Sequence, residues 1–322
     1  MLNKHLRTTY KNKSNNLLIF SMGKKVNAFF CFSWNKSDKI QKQSWLFGVY
    51  CVSLRINITL FMFEKEIIEY ESLLKTYRQK VTNRMNSSDW KEYNEILFSA
   101  HSCAIEGNSF SVNDTRELKE KGLGIIPQGK TLFEAFEMLD HFKAYEFLFN
   151  QPETPLTEEL LKETHRILTE HTLTYRHPDA KPGEYTQTDM CAGDTIFGEH
   201  EQLIARVPQL LYSTQRALEE NKIHPMIIAA RFHGFYEYLH PFRDGNGRIG
   251  RLFSNFILHK AGHPIVIITQ ESKSEYINAL RQIRTERTDE HLISFFFQMA
   301  MKRMQQEIDE KKKQSIVFPF LF

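Results

Sequence analysis

The chain has 322 residues, of which 41% are hydrophobic and 13% aromatic, enough for one large or two ordinary domains with a substantial core. Residues 1–61 hold ten Lys or Arg and one Asp, a net charge of +9. Because the whole chain has a net charge of +3, the other residues have a net charge of −6. This acidic main body argues against nucleic acid as the main partner. The four cysteines lack metal or redox spacing, which suits a reducing compartment, and we expect a cytoplasmic protein.

Residues 1–61 differ in composition from the rest of the chain, with no Glu and little helical periodicity. The basic start suggests a targeting segment, but the apolar run at 17–22 is too short for a signal peptide. Residues 45–63 are apolar but interrupted by Arg55, which disfavours a membrane-spanning helix. No membrane association is predicted. The simplest interpretation is that Met62 is the true start, and whether residues 1–61 belong to the native protein stays open.

From Phe63 onward, apolar residues recur at helical spacing and predict a mainly α fold. The spacing predicts helices over 63–84, 90–106, 114–121, 131–150, 157–172, 203–221, 225–240, 247–261, 273–287 and 290–311. The pattern Ser272-x-x-Glu275 predicts a capping box. Three histidines stand alone on helical patterns, without the spacing of a metal site, and are expected to be packed or solvated: His141, His165 and His233.

Residues 176–200 break the helical pattern. Threonines and aromatic residues surround a Gly193-Asp194 turn, which is typical of a β-hairpin, with a plain structured loop as the alternative.

The run from His240 to Arg251 reads His-Pro-Phe-Arg-Asp-Gly-Asn-Gly-Arg-Ile-Gly-Arg. It lies between two predicted helices, so the loop leads into a helix N-terminus, where free N–H groups and the helix dipole attract anions. Gly245 and Gly247 let the backbone approach a phosphate closely. Arg248 and Arg251 share one helical face and supply forked donors for phosphate oxygens.

Two further residues of this run suit phosphate chemistry. Asp244 is a hard oxygen ligand for Mg²⁺, which favours one or two carboxylates plus phosphates. His240 is the natural proton acceptor. The run therefore predicts a site for nucleotide phosphate chemistry.

Three other interpretations of the run are weaker. A surface turn would not need the histidine and the paired arginines. A calcium loop would need oxygen donors where Arg248 and Asn255 stand. Gly245-x-Gly247-x-x-Gly250 matches the dinucleotide-binding fingerprint, but no buried apolar strand leads into its first glycine.

The run resembles the Fic family motif, His-x-Phe-x-Asp/Glu-Gly-Asn-Gly-Arg-x-x-Arg, at every defined position. The resemblance implies a mainly α Fic fold, a helical bundle with a small β-hairpin flap. It also implies transfer of AMP from ATP, with Mg²⁺, to a Ser, Thr or Tyr hydroxyl of a protein. The resemblance implies that His240 is the general base, that Phe242 anchors the loop in the core and that Asp244 is a Mg²⁺ ligand. It also implies that the backbone of Gly245, Asn246 and Gly247 forms the anion-binding nest. Arg248 and Arg251 would bind the outer phosphates.

A second resemblance lies upstream, where Ser102-Cys103-Ala104-Ile105-Glu106-Gly107 matches the inhibitory motif of the family, Ser/Thr-x-x-x-Glu-Gly/Asn. The pattern ends a predicted helix, and Gly107 suits the position just after a helix end. An anionic Glu106 at that end is disfavoured by the helix dipole unless a cation offsets it. The resemblance assigns the offsetting cation to Arg251 and implies autoinhibition.

The resemblance also assigns roles to the hairpin and to a residue near the C-terminus. The hairpin would be a flap whose edge strand pairs with the target segment, with four docking residues: Thr186, Thr188, Thr195 and Ile196. Many members carry an Arg where Thr186 stands, which leaves target choice open. Tyr276 lies in a stretch that resembles the adenine contact of the family, and it either stacks on the base or packs in the core.

The chain is therefore interpreted as an autoinhibited protein adenylyltransferase. We expect N-terminal helices over 62–129, a Fic catalytic domain over 130–300 and a C-terminal tail over 301–322. Two alternatives stay open: removal of AMP, with Glu106 orienting water, and a nucleotide-binding regulatory module without transferase activity. The expected partners are proteins with a hydroxyl side chain, the chain itself included, and a homo-oligomer is left open.

Overall fold

The computed structural model describes the following residues: 11–12, 15–16, 62–124, 126–192 and 195–317. The chain divides into two compact units, Met1–Arg55 and Ile56–Phe322. In the first unit, strand β1 (Lys11–Asn12) pairs antiparallel with β2 (Asn15–Asn16). The expectations for the rest of the N-terminal segment, including the 17–22 and 45–61 runs, lie outside the described residues.

The second unit is mainly α, as the sequence predicts. Its helices are α1 (Glu64–Lys80), α2 (Ser87–Ile105), α3 (Val112–Lys121), α4 (Leu132–Phe149), α5 (Glu158–Leu168), α6 (Leu173–Arg176), α7 (Leu203–Glu220), α8 (Pro225–Leu239), α9 (Asn246–Lys260), α10 (Lys273–Thr285) and α11 (Glu290–Val317). Strand β3 (Cys191–Ala192) pairs antiparallel with β4 (Thr195–Ile196) and forms the predicted hairpin. Among the described residues, no helix has both the length and the apolar character that a bilayer span requires.

Two sequence expectations about helix ends are wrong. The capping box at Ser272 does not form, because a 3-10 turn over Gln270–Ser272 places Ser272 at φ −89° and ψ −1°, outside the extended conformation of a capping residue. The last helix does not stop at 311 but runs on to Val317. Capping boxes form instead at the start of α3, between Ser111 and Asp114, and at the start of α4, between Thr131 and Glu134.

Helix α11 packs on the core within the segment that was expected to be a tail. Its residues Met304 and Ile308 are buried in the main core together with Tyr70 and Tyr77 of α1. The hydroxyl of Tyr77 donates to Glu307 at 2.5 Å, which adds a buried polar contact between the two helices. The segment expected as a tail from 301 therefore begins within a packed helix.

The centre of the unit is the pair α8 and α9. Both helices are buried on almost all sides, and Phe232 of α8 stacks on Phe253 of α9 with ring centroids 6.0 Å apart. The connection between them, 240–245, is the loop of the motif. Because both helices are fixed in the core, this loop begins and ends at rigid positions.

Candidate active site

The loop begins at His240, which ends α8 in the left-handed conformation, with φ 49° and ψ 59°. A proline follows, and Pro241 disfavours the helical conformation at the residue before it. A non-glycine residue with positive φ is strained and persists only where its surroundings fix it. This backbone turns His240 out of the helix and towards the hairpin, where its ring stacks on Phe197 with centroids 3.7 Å apart.

The loop is closed by Asn246 and Phe242. The Asn246 side chain accepts a hydrogen bond from the Phe242 N–H at 2.9 Å and donates to the Phe242 carbonyl at 2.6 Å. The side-chain amide of Asn246 is thus hydrogen-bonded within the loop, and its backbone N–H is the group that can bind an anion. The Phe242 ring is fully buried, which agrees with the expected anchor.

His165 of α5 contacts the motif loop and holds it in position. Its ring stacks on Phe242 with centroids 3.7 Å apart. Its Nδ1 accepts from the Gly183 N–H at 2.9 Å, so Nε2 carries the proton and donates to the Asp244 carbonyl at 3.0 Å. Burial lowers the pKa of His165 to about 4, which keeps the ring neutral. The expectation of a packed histidine is confirmed for His165, and the residue also holds the motif loop in place.

Helix α9 starts after Gly245, which has φ 79°. The first intrahelical bond runs from the Ile249 N–H to the Gly245 carbonyl at 3.0 Å, so the amides of residues 246–248 precede the helical ladder. A side chain on Gly247 would lie 2.2 Å from Glu106 Oε1. The Glu106 carboxylate therefore lies directly against the N-terminus of α9, where an anion is favoured.

Glu106 and Arg251 are in contact. Arg251 Nη2 donates to Glu106 Oε1 at 2.7 Å and to the Ser102 carbonyl at 2.8 Å, and Arg251 Nε donates to Ser102 Oγ at 3.1 Å. Burial lowers the pKa of the Arg251 guanidinium, but Glu106 more than reverses this and leaves that pKa raised. Glu106 follows the end of α2, and Gly107 with φ 102° turns the chain away.

Asp244 is held by two guanidinium groups. Arg248 Nη2 lies 3.4 Å from Asp244 Oδ1, and Arg176 Nη1 lies 3.4 Å from Asp244 Oδ2. Both arginines also contact Glu137 of α4, at 3.5 Å from Arg248 and 3.2 Å from Arg176. Burial raises the pKa of the Asp244 carboxyl, but Arg248, the Gly245 N–H and Arg176 outweigh it and hold that pKa below its usual range. The carboxylate is thus anionic and faces cations.

The structure corrects two site expectations. Tyr276 is buried, with 1% of its surface exposed, and its hydroxyl is 2.6 Å from His233 Nε2, so it presents no face to a base. Thr186 and Thr188 precede the hairpin instead of lying in its strands. Thr186 is 8% exposed, and its N–H donates to the Pro241 carbonyl at 2.9 Å, so it supports the motif loop.

The other two flap residues do lie in the hairpin. Thr195 and Ile196 form β4, and the Ile196 side chain is 76% exposed. The segment after the hairpin is tied to the end of α8 by the Gly198 N–H, which donates to the Tyr238 carbonyl at 2.9 Å.

Sequence reasoning missed several residues that form this site. Glu137 and Arg176 bind the motif arginine and aspartate, and Phe197 covers the His240 ring. Nothing local to these residues indicates a site, since their partners are 43 to 111 residues away in the chain. Glu237 is different: it lies one helical turn before His240 on a mostly apolar helix, and that spacing is a usable signal.

Residues 155–258, which include the whole motif run, match the Fic/DOC family. The chain contains a Fic/DOC family domain.

Among curated proteins, the protein adenylyltransferase Fic of Drosophila grimshawi is 33% identical over 185 residues, or 56% of this chain and 36% of that protein. The protein adenylyltransferase Fic of Nematostella vectensis is 31% identical over 185 residues, or 56% of this chain and 42% of that protein. The chain therefore spans less than half the length of these relatives.

Solved structures support the fold. A Fic-domain-containing signaling protein from Bacteroides thetaiotaomicron superposes with a TM-score of 0.66 at 24% identity, over 76% of this chain and 97% of that one. Fic-1 from C. elegans superposes with a TM-score of 0.64 at 23% identity, over 83% of this chain and 78% of that one. The helical bundle with a small hairpin is thus the Fic fold, as expected.

Proposed function

We propose that this chain is a protein adenylyltransferase that transfers AMP from ATP to a protein hydroxyl and is held inactive by Glu106. The observation that carries the proposal is the position of the Glu106 carboxylate, on Arg251 and against Gly247 at the N-terminus of α9. A carboxylate at that point marks an anion site, built from backbone amides and one buried guanidinium. A nucleotide phosphate suits the same site.

The chemistry would start at His240. Its Nε2 would accept the proton of the target hydroxyl as the oxygen forms a bond to the α-phosphorus of ATP. The bond from that phosphorus to the bridging oxygen breaks, and pyrophosphate leaves with the electron pair. The amides at 246–248 and the Arg251 guanidinium would stabilise the charge that develops on the phosphates.

Mg²⁺ is the cation that the fold family implies, and the residues present suit it. Asp244 is anionic, a quarter of its side chain is exposed, and its present partners are the cations Arg176 and Arg248. We propose that Asp244 and phosphate oxygens hold the ion, which would neutralise phosphate charge.

Inhibition by Glu106 would act through the outer phosphate. With Arg251 bound to Glu106, the γ-phosphate would lose its contact with Arg251, so the nucleotide would bind with its α-phosphate out of line. A misplacement of about 1 Å can reduce a rate a hundredfold. The helices over 62–129 would thus form the restraining part and residues 130–300 the catalytic part of the chain.

The protein substrate would dock along β4. Its exposed Ile196 and the adjacent Thr195 lie on the same hairpin that places Phe197 on His240. Addition of an extended segment to this edge would bring a hydroxyl close to the imidazole with little demand on sequence.

Mass spectrometry of the purified protein, incubated with ATP and Mg²⁺ alone or with cell lysate, tests the function. The expected result is a gain of AMP on a protein, lost in His240→Ala while ATP binding is kept, because a proton acceptor acts mainly in the transition state. Normal labelling by His240→Ala would overturn the role of His240. Loss of AMP from pre-labelled protein, without any labelling, would favour AMP removal instead.

A further inference from the structure

The arrangement around His240 contains a carboxylate that the family motif does not include. Glu237 is one turn before His240 on α8, and its Oε2 lies 3.7 Å from His240 Nδ1. Among the described residues, Nδ1 is a buried nitrogen without a hydrogen-bond partner. Glu237 is 7% exposed, so water screens its electrostatic interactions with nearby groups less than those of a surface carboxylate.

The other oxygen of Glu237 faces a second histidine. Glu237 Oε1 and His233 Nδ1 both lie 2.8 Å from the point that a side chain on Gly250 would occupy. His233 Nε2 is in turn 2.6 Å from the Tyr276 hydroxyl. Tyr276, His233, Glu237 and His240 thus lie near one another, with space left by the missing side chain of Gly250, although Glu237 Oε1 and His233 Nδ1 have no hydrogen-bond partner among the described residues.

Several charged or titratable groups surround this carboxylate. His233 and His240 face it from α8 and the loop, Arg251 from α9, and Arg284 and Tyr276 from α10. Burial raises the pKa of the Glu237 carboxyl, but His240, His233 and Arg251 outweigh burial and leave that pKa below its usual range. Glu237 is therefore an anion next to the imidazole.

The His240 ring has few ways to turn. Phe197 covers one face of the His240 ring. The Arg284 guanidinium in turn lies 4.3 Å from the Phe197 ring. Arg284 also donates to the Glu237 carbonyl. The ring thus lies against Phe197, with its Nδ1 3.7 Å from the Glu237 carboxylate.

We propose that Glu237 is the positioning residue for His240: its carboxylate receives the Nδ1–H of the imidazole and so keeps Nε2 unprotonated for the target hydroxyl. The pair closes from 3.7 Å to hydrogen-bond distance as the proton is taken up, because catalytic contacts often tighten only in the complex. The carboxylate also stabilises the imidazolium that forms. The proposal rests on the proposed function for its consequence in catalysis, but the tautomer of His240 can be measured without it.

The first test is nuclear magnetic resonance of histidine-labelled protein, with the His240 signals identified by their absence in His240→Ala. The wild type should show Nδ1 protonated and Nε2 unprotonated at neutral pH. In Glu237→Gln the two tautomers should be mixed, because the neutral amide no longer favours the proton on Nδ1. A wild-type ring with its proton on Nε2, or an unchanged His240 in Glu237→Gln, would overturn the proposal.

Two variants control for structure. Glu307→Gln removes another buried carboxylate, which pairs with Arg303 far from His240 in the sequence, and should leave the His240 signals unchanged. Glu237→Asp keeps the charge but withdraws it by one methylene, and should give an intermediate mixture of tautomers. The wild-type tautomer alone decides the proposal if Glu237→Gln does not fold.

The second test is AMP transfer in a Glu106→Gly parent, where restraint is removed. Adding Glu237→Gln should lower kcat roughly a hundredfold, the effect of a misplaced catalytic group. The KM for ATP should stay the same, because Glu237 acts on the proton acceptor and not on the nucleotide. An unchanged kcat would overturn the proposal. A parent that transfers no AMP would defeat the proposed function, while the resonance measurement would still decide the role of Glu237.

Discussion

Glu106 Oε1 and Arg251 Nη2 are 2.7 Å apart, although the two residues are separated by 145 positions in the chain. The contact joins the end of α2 to the first turns of α9. Because Glu106 also occupies the space next to Gly247, the carboxylate takes both the guanidinium and the backbone position that a phosphate would use.

Replacing Gly247 tests whether a nucleotide phosphate binds in the space next to this residue, where the Glu106 carboxylate now lies. In a Glu106→Gly background, a Gly247→Ala side chain would still lie 2.9 Å from Arg251 Nη1. We expect ATP affinity to fall at least about tenfold, the loss of one charge-assisted hydrogen bond. Isothermal titration calorimetry measures the affinity. Gly124→Ala, where a side chain meets nothing within 4 Å, is the control, and equal affinity in both variants would contradict the placement of the phosphate.

His165 makes stability depend on pH. Its folded pKa is about 4 against an ordinary 6.5, so between those values the unfolded chain takes up a proton that the folded chain does not. The free energy of unfolding should therefore fall as pH drops from 6.5 to 4, with up to about 3 kcal/mol due to this group. His165→Phe keeps the stacking but should show a shallower fall. Urea unfolding at pH 7.5, 6 and 5 measures this, and equal slopes for both proteins would refute it.

Arg176 contacts Oδ2 of Asp244, the residue proposed to hold the cation. Its contacts with Asp244 and Glu137 are partly exposed, so Arg176→Ala should change the free energy of unfolding by less than about 1 kcal/mol. We expect it to lower the Mg²⁺ concentration at which ATP binding is half-maximal. ATP titrations at graded Mg²⁺ measure this. Arg166→Ala, on an exposed arginine of α5 paired with Glu163, should leave it unchanged. A higher Mg²⁺ requirement in Arg176→Ala would mean that Arg176 assists the cation instead.

The sequence predicted the fold class and the motif well because their signals are local. Apolar spacing indicated every long helix, and the twelve residues from His240 to Arg251 are contiguous. The contact between Glu106 and Arg251 needed the family resemblance, since no local pattern links residues 145 positions apart.

Other parts of the site depend on tertiary packing. Tyr276 has an amphipathic side chain that suits either a base or the core, and only the packing of α10 against His233 decides for the core. Thr186 carried a strand-like pattern but is fixed by the Pro241 carbonyl, far along the chain. His165 looked isolated because its partners, Gly183 and Asp244, come from two different loops.

The central claim is that Glu106 restrains AMP transfer through Arg251. Incorporation of labelled AMP, at equal ATP and Mg²⁺, should be compared in the wild type, Glu106→Gly, Arg251→Ala and the double variant. Asn150→Gly, at the corresponding position after α4, controls for a glycine at a helix end. We expect Glu106→Gly to raise incorporation, with Asn150→Gly equal to the wild type and the double variant as low as Arg251→Ala. Unchanged or lower incorporation by Glu106→Gly would contradict the account.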